Sequence, residues 1–237
     1  MIAAANGSRC GPIGRVLELA RVREQLLQIS LWVLPILAAV VLHEVAHGYV
    51  ASWFGDETAK RAGRLTLNPI AHIDPIGTVA VPLFLVLTQT PFLFGWAKPV
   101  PVSFAALRKP KRDMIFVAAA GPVTNFLLAG VSAAVFHAIV ATGSDGSGVL
   151  SQAVLLPIAV IARYSVLMNV FLGVFNLIPL PPLDGGRVLT GLLPLDLARR
   201  FAKIEPFGFL ILVLLLMSNS LAVLIHRPIK LMLELLL

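Results

Sequence analysis

Thirty-one consecutive residues, Met114 to Ser144, pass without an Asp, Glu, Lys or Arg. No other feature limits the fold so strongly, because about 20 apolar residues in a helix already cross the hydrocarbon of a bilayer. Comparable runs cover Gln25 to Leu42, Ile76 to Phe94, Leu150 to Leu183 with Arg163 as its sole charge, and Pro206 to His226. Charged residues make up 13% of the chain, about half the share of a soluble domain. The expected fold class is an all-α polytopic membrane protein, a bundle of about four to six transmembrane helices. A small membrane-associated β-hairpin region is expected beside it, at Gly63 to Leu67 and Ala97 to Val102. There, alternating apolar residues and the Asn68-Pro69 and Asp74-Pro75 pairs read as strand and turn.

The polar segments set the topology. Residues 56–64 and 98–112 are basic, whereas the 144–148 turn carries no Lys or Arg. Cytoplasmic loops hold the excess of Lys and Arg, so the first two segments are expected in the cytoplasm and the turn outside. Residues 76–94 then enter and leave on one side as a re-entrant hairpin, and Pro82, Thr88, Gln89, Thr90 and Pro91 suit that better than a full span. The basic N-terminus runs against this arrangement. A formal charge of +7 and a pI near 10.2 would also suit nucleic acid. However, the basic residues sit in short loops flanking apolar runs, where they meet anionic headgroups, and no aromatic-basic stripe accompanies them. Nucleic acid is not an expected partner. Cys10 is a lone cysteine and builds neither an internal disulfide nor a cysteine-rich zinc cluster. No secretory signal peptide is expected, since a small-residue cleavage site does not follow the first apolar run.

Against this background the stretch "VVLHEVAHGYV" stands out. His43 and His47 are four residues apart and share a helix face. HExxH on a helix is a zinc-binding pattern with the Glu as general base, and ionisable groups inside a membrane run are costly and mark function. Histidines hydrogen-bonded across a bundle are the plainer reading, but that does not explain a carboxylate at Glu44. A catalytic zinc takes three protein ligands and a water. The third is open among His72 and Asp74 nearby and Asp184 far downstream, in "NLIPLPPLDGGR". In that segment Pro179, Pro181 and Pro182 stop the helix, and Gly185-Gly186 is expected to form a tight turn that aims Asp184.

HEVAH followed by "NLIPLPPLDGG" resembles the site-2 protease family, the intramembrane zinc metalloproteases of peptidase family M50. "RLTLNPIAHIDPIGT", "FGWAKPVPV" and "AAAGPVTN" are similar to its compact subfamily without PDZ or CBS domains. The likeness covers about residues 28–190. It implies that one zinc ion per chain is held by His43, His47 and Asp184, and that Glu44 is the catalytic base. It further implies that Asn176 and Asn125 align the substrate or stabilise the oxyanion, with His72 and Asp74 structural. Asn169, seven residues before Asn176, is expected to make a helix–helix hydrogen bond. The implied function is hydrolysis of peptide bonds in or near transmembrane segments of membrane-protein substrates, in regulated intramembrane proteolysis. The implied setting is the lipid bilayer of a prokaryotic cell membrane, with the active site open to the cytoplasm. The expected organisation is an N-terminal tail or interfacial helix (1–27), a metalloprotease core (28–195) and C-terminal transmembrane or interfacial helices (196–237). A metal transporter or channel without proteolysis is the alternative, although internal repeats typical of transporters are not evident.

Overall fold

A computed structural model describes residues 12–90, 95–142, 148, 151–218 and 220–237, with side chains from Leu31 onward. The expected turn at 144–148 falls almost wholly outside these residues, as does Cys10.

The first apolar run belongs to a helix, α1 (Pro12–Trp53), whose part from Leu31 to Trp53 is long and apolar enough to span. It ends at Gly55, where φ is 105°, a conformation open to glycine at little cost. Two further helices meet the same length and composition test: α4 (Pro110–Ala141) and α5 (Leu156–Asn176), the latter with a π turn at Ser151–Leu155 ahead of it. Small residues line their contacts. Ala39 on α1, Ala118, Gly121, Ala129 and Ala133 on α4, and Ala159, Ala162 and Gly173 on α5 are all buried, so the backbones approach closely. This is how helices associate in lipid, where apolar burial between them brings little gain. Ala129, Ala133, Val166 and Val170 form the centre of that packing.

Between α1 and α4 lies irregular chain with short helices, α2 (Thr58–Arg61) and α3 (Val81–Leu87), the latter continuing a π turn from Pro75. The stretch Pro75–Leu87 is apolar but has the length of a shorter helix, 10–17 residues. At 1.5 Å per residue it reaches about 20 Å, less than the roughly 30 Å hydrocarbon thickness. The chain then comes back to where it started. The Trp96 amide donates to Gly77 O at 3.1 Å, and the Lys98 amide to His72 O at 2.9 Å.

The expected β-hairpin is corrected here: no strand exists among the described residues. The backbone groups that would make a ladder have other partners. Pro99 and Pro101 have no N–H to give. The Val100 amide donates to Glu44 Oε2 at 2.9 Å, and the Lys98 carbonyl accepts from Arg64 Nη2 at 2.9 Å. On the other segment, the Thr66 carbonyl is bonded to His72 Nε2 at 2.9 Å.

After α5 the proline cluster leads into α6 (Asp184–Leu192), α7 (Leu195–Ala202), α8 (Glu205–Met217) and α9 (Ser220–Leu236). The continuous run expected over Pro206–His226 is instead broken, with α8 and α9 inclined at 81°. Ser218 and Ser220 bond each other through their hydroxyls at 3.0 Å at the break. Ile178 and Leu183 of the proline segment pack with Leu212 and Leu221 from these two helices. The all-α polytopic expectation holds, but against the four to six helices expected, three among the described residues are long and apolar enough to span, or four if α8 and α9 act as one broken span.

Candidate metal centre

Three helices supply the site. His43 and His47 lie one turn apart on α1, and Asp184 opens α6. All three are buried. Their reach depends on the backbone behind them. A Cβ on Gly121 of α4 would stand 2.4 Å from His47 Nε2 and 2.6 Å from His43 Nε2. Gly121 is thus a requirement of the histidine pair and not merely a helix contact. The two glycines after Asp184 also act differently from expectation. They lie within the first turn of α6 and neither has positive φ. A Cβ on Gly185 would meet Leu177 O at 2.2 Å, and one on Gly186 would meet Pro181 N at 2.4 Å. They let α6 begin directly on the chain leaving α5, which carries Asp184 back toward α1.

His43 Nε2 is 3.1 Å and His47 Nε2 is 3.3 Å from Asp184 Oδ2, and the two ring nitrogens are 3.0 Å apart. The opposite nitrogens fix what these atoms are. His47 Nδ1 lies 2.7 Å from the Val117 carbonyl, and His43 Nδ1 lies 2.6 Å from Asn125 Oδ1. Both neighbours are acceptors, so both Nδ1 atoms carry a proton, and a ring that is neutral presents its lone pair at Nε2. Asp184 Oδ2 is buried and lacks a hydrogen-bond donor. With both rings neutral, three acceptor atoms converge with no proton between them. That costs free energy unless a cation sits among them. Tetrahedral zinc, with bonds of about 2.0–2.2 Å, separates its ligand atoms by about 3.3 Å. The donor set fits zinc, and among the described residues it is the one group of His, Cys, Asp and Glu suited to a metal.

Neither alternative third ligand joins it. His72 is buried against Thr66 O, and Asp74 caps the turn at Pro75, its Oδ1 accepting from the Ile76 and Gly77 amides at 3.0 and 2.7 Å.

The triad opens into a cavity of about 620 Å³ that also takes in Glu44, Asn176 and Arg187, a size usual for ligand sites. Val40, Trp96, Val100, Leu172, Phe175 and Phe209 give it apolar walls. Trp96 meets Phe209 edge to face, with centroids 5.8 Å apart, joining the returning loop to α8. Asn176 lines the cavity, and its Nδ2 donates to Leu172 O of its own helix at 3.0 Å. Asn125 lies elsewhere than expected. It is wholly buried behind His43 and is not part of the cavity wall. Its Nδ2 donates to Ala39 O at 3.2 Å and to Asn169 Oδ1 at 2.9 Å. The interhelical bond expected of Asn169 is thus to Asn125.

Two contributors were not singled out from the residues. The Val100 amide is the sole backbone donor in Pro99-Val100-Pro101, and it holds Glu44. Arg187 lies three residues past Asp184, hence on the same face of α6, and its guanidinium stacks over the Phe104 ring at 5.2 Å. The i, i+3 spacing could have indicated Arg187. The partner of Val100, 56 residues away in the chain, had no local signal.

Comparison with known proteins agrees with this geometry. The model of "Peptidase family M50" matches residues 147–218. A protein named "Putative zinc metalloprotease YwhC" from Bacillus subtilis (strain 168) is 38% identical over 186 residues, covering 78% of this chain and 80% of that one. Proteins named "Putative zinc metalloprotease Rip2" are 29% identical in Mycolicibacterium smegmatis and 26% in Mycobacterium tuberculosis (strain H37Rv). Each of those alignments covers 78% of this chain and 66% of the relative. No solved structure matches the chain. With apolar spanning helices, a donor set that fits zinc and a relative of this identity over most of both chains, the protein belongs to peptidase family M50, the site-2 protease family, and is a zinc metalloprotease of the membrane.

Proposed function

We propose that this chain hydrolyses peptide bonds in or near transmembrane segments of other membrane proteins, inside the bilayer, as a step of regulated intramembrane proteolysis. The observation that carries this reading is the meeting of three metal-ligating side chains and the Glu44 carboxylate in one apolar-walled cavity among spanning helices. In this reading His43, His47 and Asp184 hold one zinc ion. When bound, zinc acidifies a water and polarises the scissile carbonyl.

The chain's own groups do the rest. Glu44, oriented by the Val100 amide, accepts the proton released as water adds to the carbonyl carbon. It then returns that proton to the leaving nitrogen, so that the C–N bond breaks to a carboxylate and an amine. Asn176, on the cavity wall, aligns the substrate backbone or donates to the oxygen that gains charge. The apolar walls exclude bulk water, which strengthens these contacts. A helical substrate covers its own carbonyls, so it unwinds before it reaches Glu44.

Residues 28–195 form the metalloprotease core in this reading, with 1–27 before it and the C-terminal helices of 196–237 after. The basic loops at 56–64 and 98–112 favour a cavity mouth on the cytoplasmic side of a prokaryotic cell membrane.

The test is reconstitution of the purified protein in liposomes with a single-span test substrate. Cleavage that stops on chelation and returns with zinc supports the proposal. Zinc flux across the liposome without cleavage would establish the transporter reading instead.

A further inference from the structure

We propose that Asn169, which touches neither the cavity nor the metal ligands, is a positioning residue that decides which nitrogen of His43 faces the metal. The proposal rests on the reading of His43 as a zinc ligand.

The two histidines are held by different means. The Nδ1–H of His47 is fixed by the Val117 carbonyl, a backbone group that cannot rotate. The Nδ1–H of His43 is fixed by the Asn125 side-chain amide, which can. If that amide turned over, its NH₂ would face His43 Nδ1 and favour the tautomer with the proton on Nε2. A protonated Nε2 is no longer a ligand. Something must therefore stop Asn125 from turning.

The hydrogen bonds name two stops. One is Ala39 O, which takes an Asn125 N–H at 3.2 Å. The other is Asn169 Oδ1, which takes one at 2.9 Å. Asn169 is itself fixed, because its Nδ2 donates to the Ser165 carbonyl at 2.9 Å and lies 3.2 Å from the Ser165 hydroxyl. A backbone carbonyl on α5 thus sets the polarity of Asn169, which sets Asn125, which sets His43. The line crosses three helices, and Asn125 and Asn169 are 0% and 1% exposed. Water therefore cannot take the place of a missing partner. The Asn125 contact to Ala39 is the longer of its two, so the shorter and stronger restraint comes from Asn169.

Partners that orient a metal-bound histidine typically change metal affinity by about 10–100-fold when removed. Asn169→Leu removes the acceptor while keeping volume. Asn169→Ala only deletes atoms and serves if leucine does not pack. Asn169→Asp, kept neutral by burial, retains an oxygen toward Asn125 and an O–H for the Ser165 carbonyl. Ser165→Ala removes the hydroxyl but leaves the carbonyl and both amides, and is the control for helix packing.

The measurements are the histidine tautomer in metal-free, ¹⁵N-histidine-labelled full-length protein by NMR, and zinc affinity by chelator competition. The wild type, Ser165→Ala and Asn169→Asp are expected to show His43 with the proton on Nδ1 and to differ little in affinity. Asn169→Leu or Asn169→Ala is expected to show mixed His43 tautomers, an unchanged His47 and zinc binding weaker by about 10–100-fold. An unmixed His43 and affinity within about twofold of wild type in the Leu or Ala variant would overturn the role of Asn169 alone. A wild type that binds no zinc would sink the metal reading as well.

Discussion

A methyl group at position 121 is the sharpest local test of the metal centre. The Cβ of Gly121→Ala would stand 2.4 Å from His47 Nε2. Either a ring must turn off its hydrogen bond or α4 must move away from α1. Zinc affinity is expected to fall at least about tenfold, a loss of about 1.4 kcal/mol, with α-helical content unchanged. Chelator competition measures it, and an unaltered affinity would show that the helices move apart at no cost. The residue scale also shows what could be read without a structure. The placement of His43 and His47 on one face, with Glu44 beside them, was legible because a spacing of four along one helix encodes it. Asp184 was open on its residues alone and was singled out by family resemblance. Gly121 carries no local signal of its part in the site, and Asn125 reads as facing substrate. Their roles depend on which atom of another helix lies within 3 Å, and no periodicity carries that information.

Among the elements, the junction after α1 has the clearest pH dependence. Asp56 is buried. Its Oδ2 accepts from the Ser103 amide at 2.6 Å, and its Oδ1 accepts from the Thr58 amide at 2.9 Å and from the Thr58 hydroxyl. It thereby ties the end of α1 and the start of α2 to the chain entering α4. Burial works against its charge, yet the bonds from Thr58 and Ser103, with Arg61 near, hold its pKa below the ordinary 3.8. Because the folded value is the lower one, the stabilisation is complete above 3.8 and is lost as pH falls below that toward the folded value. Wild-type thermal stability in detergent should therefore drop on acidification through this range. Asp56→Asn should start lower, by about 1–3 kcal/mol, and lose less on acidification. Equal slopes for the two would remove Asp56 from the account.

The re-entrant segment is tested at the same scale. Pro75–Leu87 is short for a span and its flanks meet at Gly77–Trp96 and His72–Lys98. Lys60 and Lys111 are exposed on either side of it. Cysteines placed there in a Cys10→Ser background are expected to label from one face of sealed vesicles, and labelling from opposite faces would make the segment a full span. The long helices α1, α4 and α5 were legible from their uncharged runs. The β-hairpin was misread because the alternation in "RLTLNP" and "KPVPV" was taken for strand pairing. Prolines and side-chain hydrogen bonds to Glu44, Arg64 and His72 occupy the groups a ladder would need. The break between α8 and α9 was hidden because Ser218 and Ser220 interrupt neither the apolar character nor the length of the run.

On the scale of the whole molecule, spanning helices α1, α4 and α5 form a small-residue bundle, while the returning loop, α6 and α8 complete a cavity around the metal ligands. The membrane class was legible from the low charge content. The closure of the cavity by Trp96 and Phe209 was not, since the two lie more than 100 residues apart in the chain. In the proposed mechanism Glu44 is a base and not a ligand: it shares the cavity with His43, His47 and Asp184 but is held by the Val100 amide. One measurement separates these roles, namely zinc content and cleavage of a single-span substrate recorded on the same preparation of Glu44→Gln. The account predicts about one zinc per chain, as in the wild type, with cleavage reduced by at least about 10²-fold, the scale of general-base catalysis. Loss of zinc from that variant, or cleavage at the wild-type rate, would contradict it.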